Sequence, residues 1–252
     1  MTRISYFRQS VLGWMYPPVC ASCEDVLSAQ QQLEMPFLCE ACEGSLERIG
    51  KSYCPVCGQT YEAPTPGNMR CGNCGDRELA IDFAVSAYRS SGKARQIMHQ
   101  FKYGKQQHLA RLMGGLIQRV WEDSRLHKEA WWVVPVPLHP RRMRSRGFNQ
   151  SEEIARQLVR LAPSGVQLQT LLGLKRARNT VRQAQLDRRD RLRNLIQAFE
   201  PARVLQKVRK GPSRVILVDD VITTGTTVSE CAAVLRLEGD VEEIAAVSVL
   251  RG

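Results

Sequence analysis

The sequence predicts an α/β protein: an open parallel sheet with helices on both faces, preceded by a small cysteine-rich segment. Three observations predict it. Eight of the nine cysteines fall before residue 75, all of them in Cys-x-x-Cys pairs. From about Ile81, short runs rich in β-branched and aromatic residues alternate with helical patterns, as strand–helix–strand crossovers require. Near the C-terminus, an apolar run leads into two adjacent aspartates and a threonine-rich loop that opens a helix. The change of texture divides the chain into segments 1–80 and 81–252.

The head comes first. Residues 5–15, with Phe7, Val11, Leu12 and Trp14, read as a short helix that ends at Pro17-Pro18 and packs on the rest of the protein. The cysteine pairs follow as Cys20/Cys23, Cys39/Cys42, Cys54/Cys57 and Cys71/Cys74, with 15 residues between the first two pairs and 13 between the last two. Two such pairs on short hairpins bring four sulfurs to one point, and thiolates suit the soft, tetrahedral preference of zinc. The spacing leaves open how the four pairs combine. Gly58 and Gly75 follow the last two pairs and ease the turn, whereas Glu24 and Glu43 stand at these places in the first two. A disulfide framework is disfavoured without a secretion pattern, and the tight spacing of iron–sulfur ligands is missing. Four thiolates leave no open position for a substrate, so two structural zinc ribbons are expected. A segment this poor in apolar runs needs the metal in order to fold.

In the second segment, strands are expected at 83–88, 131–136, 168–172, 215–218 and 244–250. Leu109, Leu112, Met113, Leu116, Ile117, Val120 and Trp121 recur at helical spacing and form one apolar face. A second helix opens near Asn149 or Ser151 and runs through Ile154, Leu158 and Leu161 to Pro163. A third follows Thr227, whose spacing to Glu230 matches a capping box. Cys231 falls in that helix and reads as a small core residue. Beyond the two ribbons the chain shows no internal repeat.

Composition narrows the function. Hydrophobic residues make up 43% and charged residues 24%, which excludes a largely disordered chain. No run approaches the roughly 18 apolar residues that a membrane span needs, so membrane insertion is not expected. The first eight residues lack the apolar core of a secretory signal, so a cytoplasmic location is. The net charge of +11 is unevenly placed: −3 over residues 1–80, +9 over 81–150, +10 over 151–214 and −5 over 215–252. A basic middle of that size implies a polyanionic ligand, either the phosphates of a small molecule or a nucleic acid backbone.

The most informative stretch is 214–227. Four apolar residues form a buried strand that delivers Asp219 and Asp220 to its carboxyl end, where ligands sit in open α/β sheets. Thr223, Thr224, Gly225, Thr226 and Thr227 then offer backbone amides, four hydroxyls, a glycine for tight curvature and a helix start, the parts of a phosphate cradle. The two carboxylates could accept hydrogen bonds from ribose hydroxyls or hold a magnesium water. The Walker pattern is absent.

This stretch resembles the phosphoribosyl-pyrophosphate motif of the type I phosphoribosyltransferases, and the chain as a whole resembles the ComF family, including its GntX-type members. The resemblance rests on the four cysteine pairs, Val134-Pro135-Val136-Pro137-Leu138, Arg146-Gly147-Phe148-Asn149-Gln150-Ser151, Thr180 with Gln183 and Leu186, and the loop at 219–227. It implies an open parallel sheet of the type I phosphoribosyltransferase kind. It further implies that Asp219 and Asp220 bind the ribose hydroxyls of phosphoribosyl pyrophosphate and that Thr223, Thr224, Gly225, Thr226 and Thr227 bind its 5′-phosphate. The loop after the strand at 131–136, with Pro137, Leu138, Arg141, Arg142, Arg144 and Arg146, would take the pyrophosphate. The stretch 175–185, with Arg178, Thr180 and Gln183, falls where the family has a mobile loop that closes over the site and excludes water.

The implied reaction is displacement of pyrophosphate at the anomeric carbon, with magnesium neutralising the leaving group. The residue types identify neither a catalytic group nor the acceptor. Purine-salvage members carry an aspartate where this chain has Thr223, which argues against a six-oxopurine acceptor, and no cysteine stands before Cys20 to serve glutamine-dependent transfer. The family's role in natural competence suits an enzyme and suits two other readings: a protein that senses the sugar phosphate, and one that contacts single-stranded DNA or partner proteins of the competence machinery. Against DNA, the ribbons are acidic and aromatic stacking platforms are sparse, at 6% of residues. Arg188, Arg189, Arg191 and Arg193 also fit a solvated helix face, paired with Asp187 and Asp190.

Overall fold

The computed structural model describes residues 17–50, 52–62, 69–75, 77–177, 198–203, 213–239 and 241–252. The helix expected at 5–15 and the loop residues Arg178, Thr180 and Gln183 lie outside them.

The head contributes three short helices, α1 (Ala29–Glu34), α2 (Glu40–Gly44) and α3 (Gly72–Gly75). Ser28 and Gln31 cap α1 reciprocally: the Gln31 N–H donates to Ser28 Oγ at 3.2 Å and the Ser28 N–H to Gln31 Oε1 at 2.9 Å. Residues 47–49 between the two cysteine clusters run antiparallel to strand β1 (Phe83–Arg89), with the Arg89 N–H donating to the Glu47 carbonyl at 2.8 Å. The head therefore covers a sheet edge that would otherwise present unpaired backbone.

Beyond β1 the chain runs through α4 (Gly92–Tyr103), α5 (Ala110–Ile117), β2 (Ala130–Pro135), α6 (Pro140–Arg146), α7 (Gln150–Arg160) and β3 (Gln167–Thr170). A short antiparallel pair follows, β4 (Leu174–Arg176) with β5 (Phe199–Pro201), and then β6 (Arg214–Ile222), α8 (Thr226–Gly239) and β7 (Glu243–Arg251). The five main strands are all parallel, in the order β1-β7-β6-β2-β3. Strand β6 is apolar without alternation because both its faces are covered. Ile216 and Val218 join the core under α4, α5 and α7, while Val215 and Leu217 join the core under α8. Cys231 is fully buried in that second core, as a small core residue should be.

Two expectations shift in detail. The apolar stripe from Leu109 to Trp121 is buried as predicted, but α5 is flanked by 3-10 turns at Gln107–Leu109 and Gln118–Glu122. The second ends at Asp123, whose carboxylate accepts the Arg125 N–H at 3.0 Å and draws the backbone out of the helix. Helix α8 begins at Thr226, so Thr227 lies in its first turn and not at its cap. Gly225, at φ +76°, makes the turn, and its carbonyl accepts the Ser229 N–H at 2.9 Å. Helix α7 opens after Asn149 as the sequence suggested.

The head and the sheet share a core. Cys20, Cys39, Cys42, Leu27, Leu38 and Leu46 pack in the same cluster as α4, α5 and one sheet face. Two adjacent glycines in α5 permit the packing. A Cβ on Gly114 would lie 2.8 Å from Cβ of Gln157 on α7, and one on Gly115 would lie 2.6 Å from the sulfur of Met35 in the head. The Met35 thioether can swing aside, but the root of the Gln157 side chain cannot. Gly114→Ala is therefore expected to destabilise the protein by roughly 1–3 kcal/mol through overpacking. Gly115→Ala should be close to neutral, because helix propensity favours alanine by about 1 kcal/mol. Urea denaturation of both variants checks the contrast.

Candidate functional site

The four cysteine pairs combine in sequence order. Cys20, Cys23, Cys39 and Cys42 form one cluster and Cys54, Cys57, Cys71 and Cys74 the other, with the sulfurs of each within 4.8 Å of one another. A tetrahedron with zinc–sulfur bonds of about 2.3 Å has sulfur–sulfur edges of about 3.8 Å. Cys23 and Cys39 stand 3.7 Å apart, and Cys57 and Cys71 3.5 Å. Both clusters thus fit structural zinc. Backbone amides turn toward the sulfurs, Ser22 N–H to Cys20 at 3.4 Å and Cys71 N–H to Cys54 at 3.5 Å. Glu24, with φ of 65°, adopts the left-handed turn that Gly58 makes at φ 69° in the second cluster.

Chain direction places the second site. Strand β6 leads through α8 to β7 on one side, while β2 leads through α7 to β3 on the other, so the connections part between β6 and β2. Such a parting leaves a crevice at the carboxyl ends of the strands. Pairing of β2 with β6 stops at Pro135–Val218, with a last bond from the Val136 N–H to the Val218 carbonyl at 2.9 Å. Pairing of β6 with β7 continues to Ile222–Arg251. Asp219 and Asp220 therefore lie where β6 has lost one neighbour, on the wall of a cleft of about 480 Å³.

Asp220 is buried and paired with Lys102 Nζ of α4 at 2.7 Å. Asp219 Oδ1 accepts the Ser151 hydroxyl at 3.1 Å and the Asp220 N–H at 2.9 Å. Burial and the adjacent Asp220 charge push the Asp219 carboxyl up to about 7, against the pull of Lys102. Ser151 is held in place by Asn149, which caps α7 and donates from Nδ2 to the Val136 carbonyl at 3.1 Å. The run from Arg146 to Ser151 is thus a brace that ties the end of β2 to the acid pair.

Among the other residues expected at the site, Pro137, Leu138, Arg142, Arg146, Thr223 and Thr227 line the cleft. Arg141 and Arg144 are exposed and lie outside it. Thr223, Thr224, Gly225, Thr226 and Thr227 line a shallow depression that adjoins it at Asp219. The cleft also contains Lys102, His99 and Tyr103, which sequence reasoning missed, and Arg176, which belongs to the stretch 175–185 but was not singled out. Lys102 sits in an ordinary amphipathic helix, and no local pattern marks it. Arg176 comes from β4, is buried with its guanidinium 5.2 Å from the Phe199 ring, and is pulled down to about 10 by burial and by Arg142. Arg95, Lys102, Arg142, Arg146 and Arg176 gather positive charge in the cleft beside the two carboxylates.

Comparison with known proteins agrees with this architecture. A family model for the double zinc ribbon domain matches residues 11–75. The chain is 33% identical over 213 residues to competence protein F of Haemophilus influenzae, covering 82% of this chain and 87% of that protein. It is 30% identical over 205 residues to DNA utilization protein YhgH of Salmonella typhimurium, covering 80% and 85%. Competence protein ComFC of Streptococcus pneumoniae is 27% identical over 222 residues, covering 85% and 87%. Among the described residues, no helix is long and apolar enough to cross a membrane.

Two predictions follow from the geometry of the sites. With two four-sulfur clusters, the purified chain should carry two zinc ions, and Cys57→Ser should lose one of them, as read by mass spectrometric metal analysis. The folded Asp219 carboxyl titrates near 7 and the unfolded one near 3.8, so between these values the folded state holds the extra proton and this group's contribution to stability falls as pH rises. Asp219→Asn removes that penalty. Its gain in melting temperature over the wild type should grow from about pH 4 to about pH 7 and then level off, which thermal unfolding across pH measures.

Proposed function

The chain belongs to the competence protein F family, and from that premise we propose that it is a cytoplasmic protein of DNA uptake or use that binds phosphoribosyl pyrophosphate with magnesium in the cleft at the β6–β2 parting. The single observation that carries this reading is the convergence of an acid pair, a threonine-rich helix start and five cationic side chains, Arg95 among them, on one cleft where the strand connections part. Asp219 and Asp220 accept hydrogen bonds from the ribose hydroxyls. The 5′-phosphate lies against Thr223, Thr224, Gly225, Thr226 and Thr227, at the positive end of the 14-residue helix α8. Pyrophosphate extends toward Pro137 and Leu138, where Arg142, Arg146 and Arg176 offset its charge.

Magnesium bound with the ligand supplies charge neutralisation at the pyrophosphate, and Asp219 and Asp220 are the carboxylates placed to hold its waters. The chemistry assigned to the cleft is transfer of the phosphoribosyl group. The bond from the anomeric carbon to pyrophosphate breaks, pyrophosphate leaves with the electron pair, and an acceptor nucleophile forms the new bond. Thr223, standing where purine-salvage enzymes have an aspartate, argues against a six-oxopurine as that acceptor. Segments 1–80 and 81–252 divide the work between metal-held support and the ligand site.

Calorimetric titration with phosphoribosyl pyrophosphate and magnesium tests the reading. The zinc-loaded wild type should bind, and Asp219→Ala/Asp220→Ala should not. Arg142→Ala should weaken binding by about tenfold, the value of a charge-assisted contact, whereas Arg141→Ala should leave it unchanged. Absence of binding by folded, zinc-loaded wild type would overturn the proposal and turn attention to DNA as the polyanion.

A further inference from the structure

The loop at 223–227 is held from outside the sheet, by the second cysteine cluster. Two separate sets of contacts make the connection. Asn73, between Cys71 and Cys74, donates from Nδ2 to the Thr224 carbonyl at 2.9 Å. Arg77 reaches across the same gap, from Nη1 to Thr226 Oγ1 at 3.1 Å and from Nη2 to the Thr224 carbonyl, while Nε and Nη2 also hold the Asn73 backbone carbonyl and Oδ1 at 3.0 and 3.1 Å. On the other side stands Arg251, the last residue of β7 and only 2% exposed. Its guanidinium donates to the Cys57 carbonyl at 2.9 Å and to the Cys57 sulfur at 3.4 Å. The same side chain donates to the Ile222 carbonyl at 3.0 Å and to the carbonyls of Thr223 and Gly252.

Such contacts bear on the loop's shape. A phosphate cradle works by presenting backbone N–H groups inward, and that requires its carbonyls to point away and find donors elsewhere. Here the outward carbonyls of Ile222, Thr223 and Thr224 find them on Arg251, Asn73 and Arg77. Leu79 closes the arrangement: it packs against the second cluster and lies 3.2 Å from where a Cβ on Gly225 would be. The first cluster has no such part in the described residues and packs instead on α4 and α5, where Lys93 Nζ lies 3.4 Å from Cys42 sulfur.

We propose that Arg251, Asn73 and Arg77 are positioning residues that couple the second four-cysteine cluster to the 223–227 loop, so that zinc at that cluster sets the loop's anion-binding conformation. The cluster fits zinc, and a thiolate carrying metal charge stays a hydrogen-bond acceptor for Arg251 in one orientation. Loss of the metal frees Cys57 and with it the guanidinium that orients the Thr223 carbonyl of the loop and the Ile222 carbonyl just before it. The identity of the loop's ligand rests on the function proposed above, but the coupling itself does not.

Hydrogen exchange of the 223–228 amides and the rate of zinc release to a chelator, both on the full zinc-loaded chain, test the coupling without any ligand. Arg251→Gln and Asn73→Ala should each raise exchange across 223–228 by about tenfold or more and speed the release of one of the two zinc ions. Lys93→Ala, beside the first cluster, should leave the loop's exchange as it is. The proposal is overturned if Asn73→Ala and a folded Arg251→Gln leave loop exchange and zinc release unchanged, or if Lys93→Ala raises loop exchange equally. Should Arg251→Gln fail to fold, the milder Asn73→Ala decides. Calorimetry with phosphoribosyl pyrophosphate on the same samples reads the ligand assignment separately: a wild type that binds none sinks that assignment and leaves the exchange result standing.

Discussion

The parting of β2 from β6 after Val218 is the constraint on which the rest of the molecule depends. Up to that residue β6 is an ordinary central strand, hydrogen-bonded on both sides and apolar on both faces. Beyond it the strand continues with one neighbour, so polar side chains can follow directly upon a buried run without entering the core. Asp219 and Asp220 occupy that position, and their charge is contained by Lys102 and by the Ser151 hydroxyl. Asp220 is buried even so, and its ion pair with Lys102 offsets a cost that for an unpaired buried charge runs to several kcal/mol.

Around this notch, the protein is assembled so that distant segments each deliver one or more groups. Helix α4 brings Lys102, the turn after β2 brings Pro137 and Leu138, α6 brings Arg142 and Arg146, and β4 brings Arg176. The basic middle of the chain is therefore spent unequally. Arg119, Arg125 and Arg156 pair with Glu122, Asp123 and Glu153, none of which lines the cleft, and of these partners only Glu122 is exposed enough for its pair to contribute little. A small subset faces the cleft, where Lys102, Arg142 and Arg146 are half-buried and Arg176 is buried. The asymmetry explains why net charge pointed to a polyanion without saying which arginines would meet it.

The head is a support built from metal where apolar residues are scarce. Its first cluster merges with the core under α4 and α5, and residues 47–49 close the β1 edge. Its second cluster stands against the loop between β6 and α8. The two clusters thus differ in their contacts although they are alike in ligands, one extending the core and the other bracing the loop at 223–227.

Much of this was legible from residue types alone. The cysteine pairs determined two four-sulfur centres, because zinc ligation is set by ligand type and short spacing. The run 215–227 determined a buried strand, an acid pair and a helix start, because each is a local pattern. The burial of the stripe from Leu109 to Trp121 followed from its period. What tertiary structure decided was which side chains meet. Only the β6–β2 parting selects Arg142 and Arg146 over Arg141 and Arg144, since all four share one short helix and differ in facing. Lys102 and Arg176 carry no motif. The contacts of Asn73 and Arg77 with the loop span about 150 positions of sequence. Periodicity and spacing report on neighbours along the chain, whereas these encounters depend on how the sheet is ordered and where the head docks.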